Sequence, residues 1–227
     1  MHIEPGVVTG AKLALGYATG AGSIALAGKL AFDSIRESGI AAFAGRAVLA
    51  TGLVFSFFEI LPHFPVGASE VHLILGSTLL LTLGAGPAAV GLMLGLLVQG
   101  LFFAPFDLPQ YGMNVSTLIG SLAALALVAR RIIPARAAYV DLSYGQVVRM
   151  SLAFQAVTVG WVAFWVLWGQ GASVATLGQI STFGAVYLSV ILIEPLIDLA
   201  VLAMAKRLRN NGARRLLVAR MFEPVAS

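Results

Sequence analysis

The residues with most chemistry to offer are three histidines, His2, His63 and His72, in a chain of 227 residues. Cysteine is absent, so thiolate ligands and disulfides are excluded, and any metal site must be built from nitrogen and oxygen. His63 and His72 fall in residues 61–72, LPHFPVGASEVH, a polar break between apolar segments, whereas His2 stands at the N-terminus. Position 2 gives a histidine a particular option. The free α-amine of Met1, the deprotonated His2 amide nitrogen and the His2 ring Nδ1 can chelate one metal in fused rings. Planar nitrogen sets of this kind suit Ni(II) and Cu(II), and a further imidazole would close the square. His72 is read as that imidazole. A bulky second residue also discourages removal of Met1, which the chelate requires. The bland alternative stays open, because a lone histidine at a helix start is more often a cap or an interfacial residue than a ligand. His63, beside Pro62 and Phe64, is read in that bland way.

The elements that must position these residues are membrane spans. The chain is 59% hydrophobic and 11% charged, with a mean hydropathy of +0.94. A soluble domain carries about 25% charged residues, so the deficit predicts an integral membrane protein. The net charge of +4 does not indicate nucleic acid, because the basic residues sit in short clusters between apolar runs.

Residues 11–31 form the first expected span, read as retained although Ala25-Leu26-Ala27 resembles a leader cleavage site. Ala14, Ala18 and Gly22 repeat every fourth residue along it and make a flat face, for packing within the bundle or for a partner helix. A charged turn is expected at 33–37 and a second span at 39–60. Residues 73–83 are too short to cross alone, since eleven residues rise roughly 16 Å against a core of about 30 Å. Gly84-Ala85-Gly86-Pro87 should break the helix before 88–104 turns back. Further spans are expected at 113–129, 150–168 and 182–205, after a loop at 105–112 with Asp107 and two prolines. A basic loop at 130–149 and an uncharged one at 169–181 separate the later spans. Trp161, Trp165 and Trp168 near one span end read as interfacial aromatics.

The fold class is therefore an all-α membrane protein, a bundle of seven transmembrane helices, with six as the alternative if 73–104 is one span. With the 130–149 loop and the tail placed in the cytoplasm, seven passes put the N-terminus outside and leave only Lys12 among fourteen Lys and Arg on the outer half. Six passes strand Lys29 and Arg36 outside, so seven is preferred. In both cases His2 and His72 share a membrane face. The chain reads as one domain, 1–227: an extracytoplasmic chelating N-terminus at 1–10, the bundle at 11–205 and a basic cytoplasmic tail at 206–227.

Glu194 and Asp198 lie mid-span, four residues apart on one helical face beside Pro195. Intramembrane carboxylates mark functional sites by default, and here they would support a stand-alone proton-coupled metal permease. The preferred alternative is structural: pairing with Arg46, Lys29 or a freed backbone amide, or carrying protons. An intramembrane metal hydrolase would need a HExxH-type helix, which the sequence lacks. Residues 22–29 look faintly like a phosphate loop, but the spacing is wrong and Leu30 stands where Ser or Thr is required, so no nucleotide site is expected.

The chain resembles the CbiM/NikM family, the substrate-capture subunits of energy-coupling-factor transporters for nickel and cobalt. The resemblance rests on Met1-His2-Ile3, on Phe64-Pro65-Val66 with Ser69 ahead of His72, on the Gly86-Pro87 break, on the run at 98–103, and on Gly112-Met113-Asn114. It covers residues 1 to about 120 in order. It implies seven spans with the N-terminus outside, and Met1, His2 and His72 as metal ligands. His63, Ser69 and Asn114 would be auxiliary or supporting residues. The transported substrate would be Ni(II) or Co(II). Partners would be a transmembrane coupling subunit and two ATPase subunits in a bacterial cytoplasmic membrane, with a small accessory membrane subunit left open. The chain departs from the family pattern where His63 replaces asparagine, where the loop is one residue shorter, and where Ala68 and Glu70 replace threonine and glycine. Glu4-Pro5 also inverts the usual order.

Overall fold

The computed structural model describes all residues except Met1, Ala135, Arg136, 209–216 and 224–227, and leaves aside the side chains of Leu188 and Ile191. The expectations placed on Met1, on Arg136 in the basic loop and on most of the C-terminal tail lie outside the described residues. Among the described residues there are seven α-helices: α1 (Leu13–Ser38), α2 (Ile40–Phe55), α3 (Gly76–Leu83), α4 (Ala85–Phe102), α5 (Tyr111–Ile132), α6 (Tyr144–Gln170) and α7 (Val174–Leu208). Five helical stretches among the described residues are long and apolar enough to cross a membrane: Ile40–Ile60, Ala85–Phe102, Pro105–Ile132, Tyr144–Gln170 and Val174–Arg207. α1 is longer than some of these, but Gly, Ser, Thr and Lys29 dilute its hydropathy. α3, at eight residues, rises only about 12 Å.

Small residues decide how the helices meet. A Cβ on Gly16 would stand 2.6 Å from Met113 Cγ, and one on Gly20 2.6 Å from Gly112 Cα, so α1 and α5 touch backbone to backbone. Without a hydrophobic drive between helices in lipid, such close contact is what holds them together. The opposite face of α1, with Ala14, Ala18 and Gly22, is exposed, and a Cβ on Gly22 would meet nothing within 4 Å. The bundle does not use that face.

The helix boundaries differ from the expectation where charge was taken as a stop. Residues 33–37 belong to α1, where Lys29 and Asp33 pair across one turn at 2.6 Å. The basic loop shrinks at both ends, because α6 starts at a capping box in which Ser143 and Gln146 bond reciprocally. The turn between α6 and α7 is confined to 171–173, with Gly171 at φ +77 and Ser173 Oγ accepting from Thr176 N–H at 3.0 Å. Trp165, expected at an interface, is fully buried, while Trp168 is exposed and donates to the Lys12 carbonyl at 3.2 Å.

The break expected at 84–87 is confined to Gly84, at φ +90. Pro87 fits the first turn of α4, where its missing N–H is not needed. Gly86 packs on the Leu30 carbonyl near the far end of α1, while Phe103 beyond α4 meets Phe55 at 5.3 Å between ring centroids. α4 therefore runs back towards the end from which the chain entered α3. The last described tail residues also return to the bundle: Val218 N–H donates to the Thr82 carbonyl at 2.8 Å, and Met221 and Phe222 are buried.

One element was not expected of an all-α chain. β1 (Phe64–Val66) and β2 (Ser69–Val71) form an antiparallel hairpin, with Phe64 opposite Val71, Pro65 opposite Glu70 and Val66 opposite Ser69. Gly67 turns the chain at φ +65, against the Gln179 backbone of α7. The N-terminal segment adds to β2 through a bridge between Ile3 and Ser69.

Candidate metal centre

The N-terminus is clamped before any side-chain chemistry is considered. Glu70 N–H donates to the His2 carbonyl at 3.0 Å and Glu4 N–H to the Ala68 carbonyl at 3.1 Å. Ser69 Oγ–H donates to the His2 carbonyl at 2.9 Å, and Ile3 N–H to Asn114 Oδ1 at 2.9 Å. Ser69 and Asn114, expected near the site, thus hold the backbone of the second and third residues and leave the centre to others.

This clamp brings His2 and His72 together. Their ring centroids are 5.0 Å apart at 77°, and only 2% of His2 and 1% of His72 is exposed. Phe58, from the π-helical turn Ser56–Ile60 that ends α2, packs on both rings, at 5.5 Å from His2 and 5.0 Å from His72. His63 stacks on His72 at 5.0 Å and 19°, while its own Nδ1 lies 3.2 Å from the Leu61 carbonyl. It walls the site without turning that nitrogen inwards.

Both imidazoles are directed at Glu70. Its Oε2 lies 2.6 Å from His2 Nδ1 and 2.9 Å from His72 Nε2, accepting from both ring N–H groups. Asp107, in the 3-10 turn Pro105–Gln110 before α5, has Oδ2 at 3.7 Å from His2 Nδ1. Burial lowers the His2 pKa to about 4 and pushes His72 well down, so both rings are neutral near pH 7. Burial alone would raise the Glu70 carboxyl, but hydrogen bonds from His2 and His72 outweigh it and hold the group far below the usual carboxylate range. Neutral imidazoles and a carboxylate are the charge states in which these groups bind metal, once each ring carries its proton on the nitrogen turned away from Glu70. One donor atom from each of His2, Glu70 and His72 lies within 4.8 Å of the others, a set able to hold a metal ion.

Glu70 and Asp107 were not singled out from sequence as candidates. The signal for Glu70 was present, since in Ser69-Glu70-Val71-His72 an extended chain sends residues 70 and 72 to one side. Asp107 gave no local signal.

Glu194 and Asp198 lie elsewhere, at the start of α3. Glu194 Oε1 accepts from Gly76 N–H at 3.2 Å, and Asp198 accepts from the hydroxyls of Ser77 and Thr78. Of the partners expected for them, the freed backbone amide is the one found. Arg46 instead donates to Ser38 Oγ and to the Ala42 and Leu83 carbonyls, and Lys29 pairs with Asp33. α3 needs such help, because its own N-cap is Leu75, in the left-handed region at φ 54, with no capping side chain.

Curated proteins offer no match to this chain. Two crystal structures share its fold. One, described as a truncated transition metal transporter, is 16% identical with a TM-score of 0.71, over 91% of this chain and 99% of the other. The second, described as a transition metal transporter, is also 16% identical, with a TM-score of 0.73 over 95% and 96%. The family profile for the cobalt uptake substrate-specific transmembrane region matches residues 2–211. With that profile spanning nearly its whole length, the chain belongs to the CbiM family of multi-pass membrane proteins of cobalt uptake.

Proposed function

We propose that this chain captures Ni(II) or Co(II) outside a bacterial cytoplasmic membrane and presents it for ATP-driven uptake, as the substrate-capture subunit of an energy-coupling-factor importer. The observation that carries the reading is the convergence of two buried, neutral imidazole nitrogens, His2 Nδ1 and His72 Nε2, from distant parts of the chain. His2 Nδ1 is also the ring nitrogen that an N-terminal chelate through the Met1 amine would use. Met1, His2 and His72 are the ligands in this reading, and His63 is a wall of the site.

Seven passes, with the N-terminus outside and the C-terminus cytoplasmic, are supported by the reversal at Gly84 and by the placement of basic residues. The exposed Ala14, Ala18 and Gly22 face of α1 suits docking of a transmembrane coupling subunit, which would bring two ATPases. A free N-terminus is the feature to test. Protein tagged at the C-terminus should retain metal after equal exposure to Ni(II) and Co(II), and protein tagged before Met1 should lose it. Equal metal content in the two would refute the chelate.

A second reading, a permease working alone through Glu194 and Asp198, draws on the burial of both acids. Metal uptake that persists in cells lacking the ATPase partners would favour it, and uptake that disappears would favour capture.

A further inference from the structure

The described ligand atoms around His2 and His72 include an oxygen that a nitrogen chelate does not need. Glu70 Oε2 sits between the two rings, at 2.6 Å from one nitrogen and 2.9 Å from the other. Its backbone is fixed by the bond from Glu70 N–H to the His2 carbonyl, and its side chain is 18% exposed, so it closes the site on the solvent side. Phe58 occupies the space against both rings, and His63 covers the outer face of His72.

Metal–imidazole bonds are about 2.0–2.1 Å long. An ion bonded to both ring nitrogens requires each ring to carry its proton on the other nitrogen, His2 Nε2 and His72 Nδ1, and takes the place that Oε2 now occupies. The carboxylate must then either swing out to water or draw back by a small rotation and bond the ion. The second needs the smaller movement, because Oε2 already lies 2.6 and 2.9 Å from the two nitrogens, and a carboxylate contact to a dication is stronger than the two hydrogen bonds it replaces.

We propose that the Glu70 carboxylate is a direct ligand of the captured dication, adding an oxygen to the nitrogen set and shifting the preference of the site from Ni(II) towards Co(II). The proposal rests on the reading of His2 and His72 as ligands. A planar four-nitrogen field favours Ni(II) and Cu(II), whereas a further charged oxygen suits an ion that takes more ligands. Simple attraction between charges would strengthen both metals alike, so selectivity separates ligation from electrostatics.

The experiment uses the full chain with a free N-terminus and a C-terminal tag, titrated in detergent with nickel chloride and with cobalt chloride. Wild type, Glu70→Gln, Glu70→Ala and His72→Ala are compared, after gel filtration confirms that each is monodisperse. Both Glu70 variants should weaken Co(II) about tenfold or more and Ni(II) by less than about threefold, on the scale of losing one supporting group at a metal site. The visible absorption of bound Co(II) should change as one ligand is lost. Equal weakening of the two metals, or an unchanged ratio with an unchanged Co(II) spectrum, overturns the role of Glu70. Should wild type bind neither metal, or His72→Ala bind both as wild type does, the capture reading itself falls. Loss of both metals in His72→Ala, with the wild-type ratio kept in the Glu70 variants, removes Glu70 alone.

Discussion

Asn114→Ala tests whether the N-terminal segment is held in place before metal arrives. Asn114 Oδ1 accepts from Ile3 N–H at 2.9 Å in a buried setting, next to the residue that carries a candidate ligand. Truncation leaves that N–H without a protein partner, and an unsatisfied buried donor costs about 1–3 kcal/mol. At about 1.4 kcal/mol per decade, the docked form of residues 2–4 becomes roughly 5- to 150-fold less favoured. Apparent metal affinity falls by the fraction of chains left undocked. Asn114→Asp keeps an acceptor at the same place and should retain most of the affinity. The assay pairs Ni(II) and Co(II) titrations with hydrogen exchange of the segment containing Ile3, since loosening shows there even without metal. Wild-type affinity together with wild-type protection in Asn114→Ala would refute the reasoning.

Other perturbations separate ligands from walls and packing from docking. His72→Ala should abolish high-affinity metal binding while leaving an inserted, folded protein, as read by metal analysis; His63→Ala should be milder, and equal severity would make His63 a ligand. Gly20→Leu drives a side chain into Gly112, 2.6 Å from where its Cβ would begin, and should lower the Tm in detergent by an overpacking cost of about 1–3 kcal/mol. Gly22→Leu, two residues on and on the opposite, open face, should leave Tm unchanged but reduce co-purification of the proposed coupling subunit. Glu194→Gln and Asp198→Asn should keep metal affinity within about threefold, because neutral isosteres retain their acceptor oxygens, whereas Asp198→Ala should lower Tm by stranding Ser77 and Thr78. A tenfold loss of affinity in Glu194→Gln would favour the permease.

The membrane class was legible because apolar composition is spread along the whole chain, and the family because Met1-His2-Ile3 and the residues ahead of His72 are specific. Helix ends were less so. Charge at 33–37 and 130–149 looked like loop, yet Lys29 and Asp33 satisfy each other within α1, and α6 begins at a Ser-x-x-Gln box that the sequence did display. Glu70 was passed over because residues 61–72 read as an irregular loop, whereas pairing with β1 and with Ile3 makes residues 69–71 a strand with alternating faces. The left-handed Leu75 could not be read locally at all. Its conformation goes with a helix start whose donors are met by carboxylates from α7, more than a hundred residues later.

The placement of residues 2–4 also has a consequence for assembly. Residues 2–4 are the first described residues to leave the ribosome, yet their partners are the hairpin and Asn114 on α5. Until the hairpin has been made these residues have no strand to join, and until α5 is in place Ile3 N–H lacks its acceptor, so two long loops must close before docking is complete. Docking of residues 2–4, and with it the candidate metal centre, therefore depends on segments made well after them. In the capture reading, a dication bound there would lock residues 2–4 onto a hairpin and a helix that lie far along the chain from them.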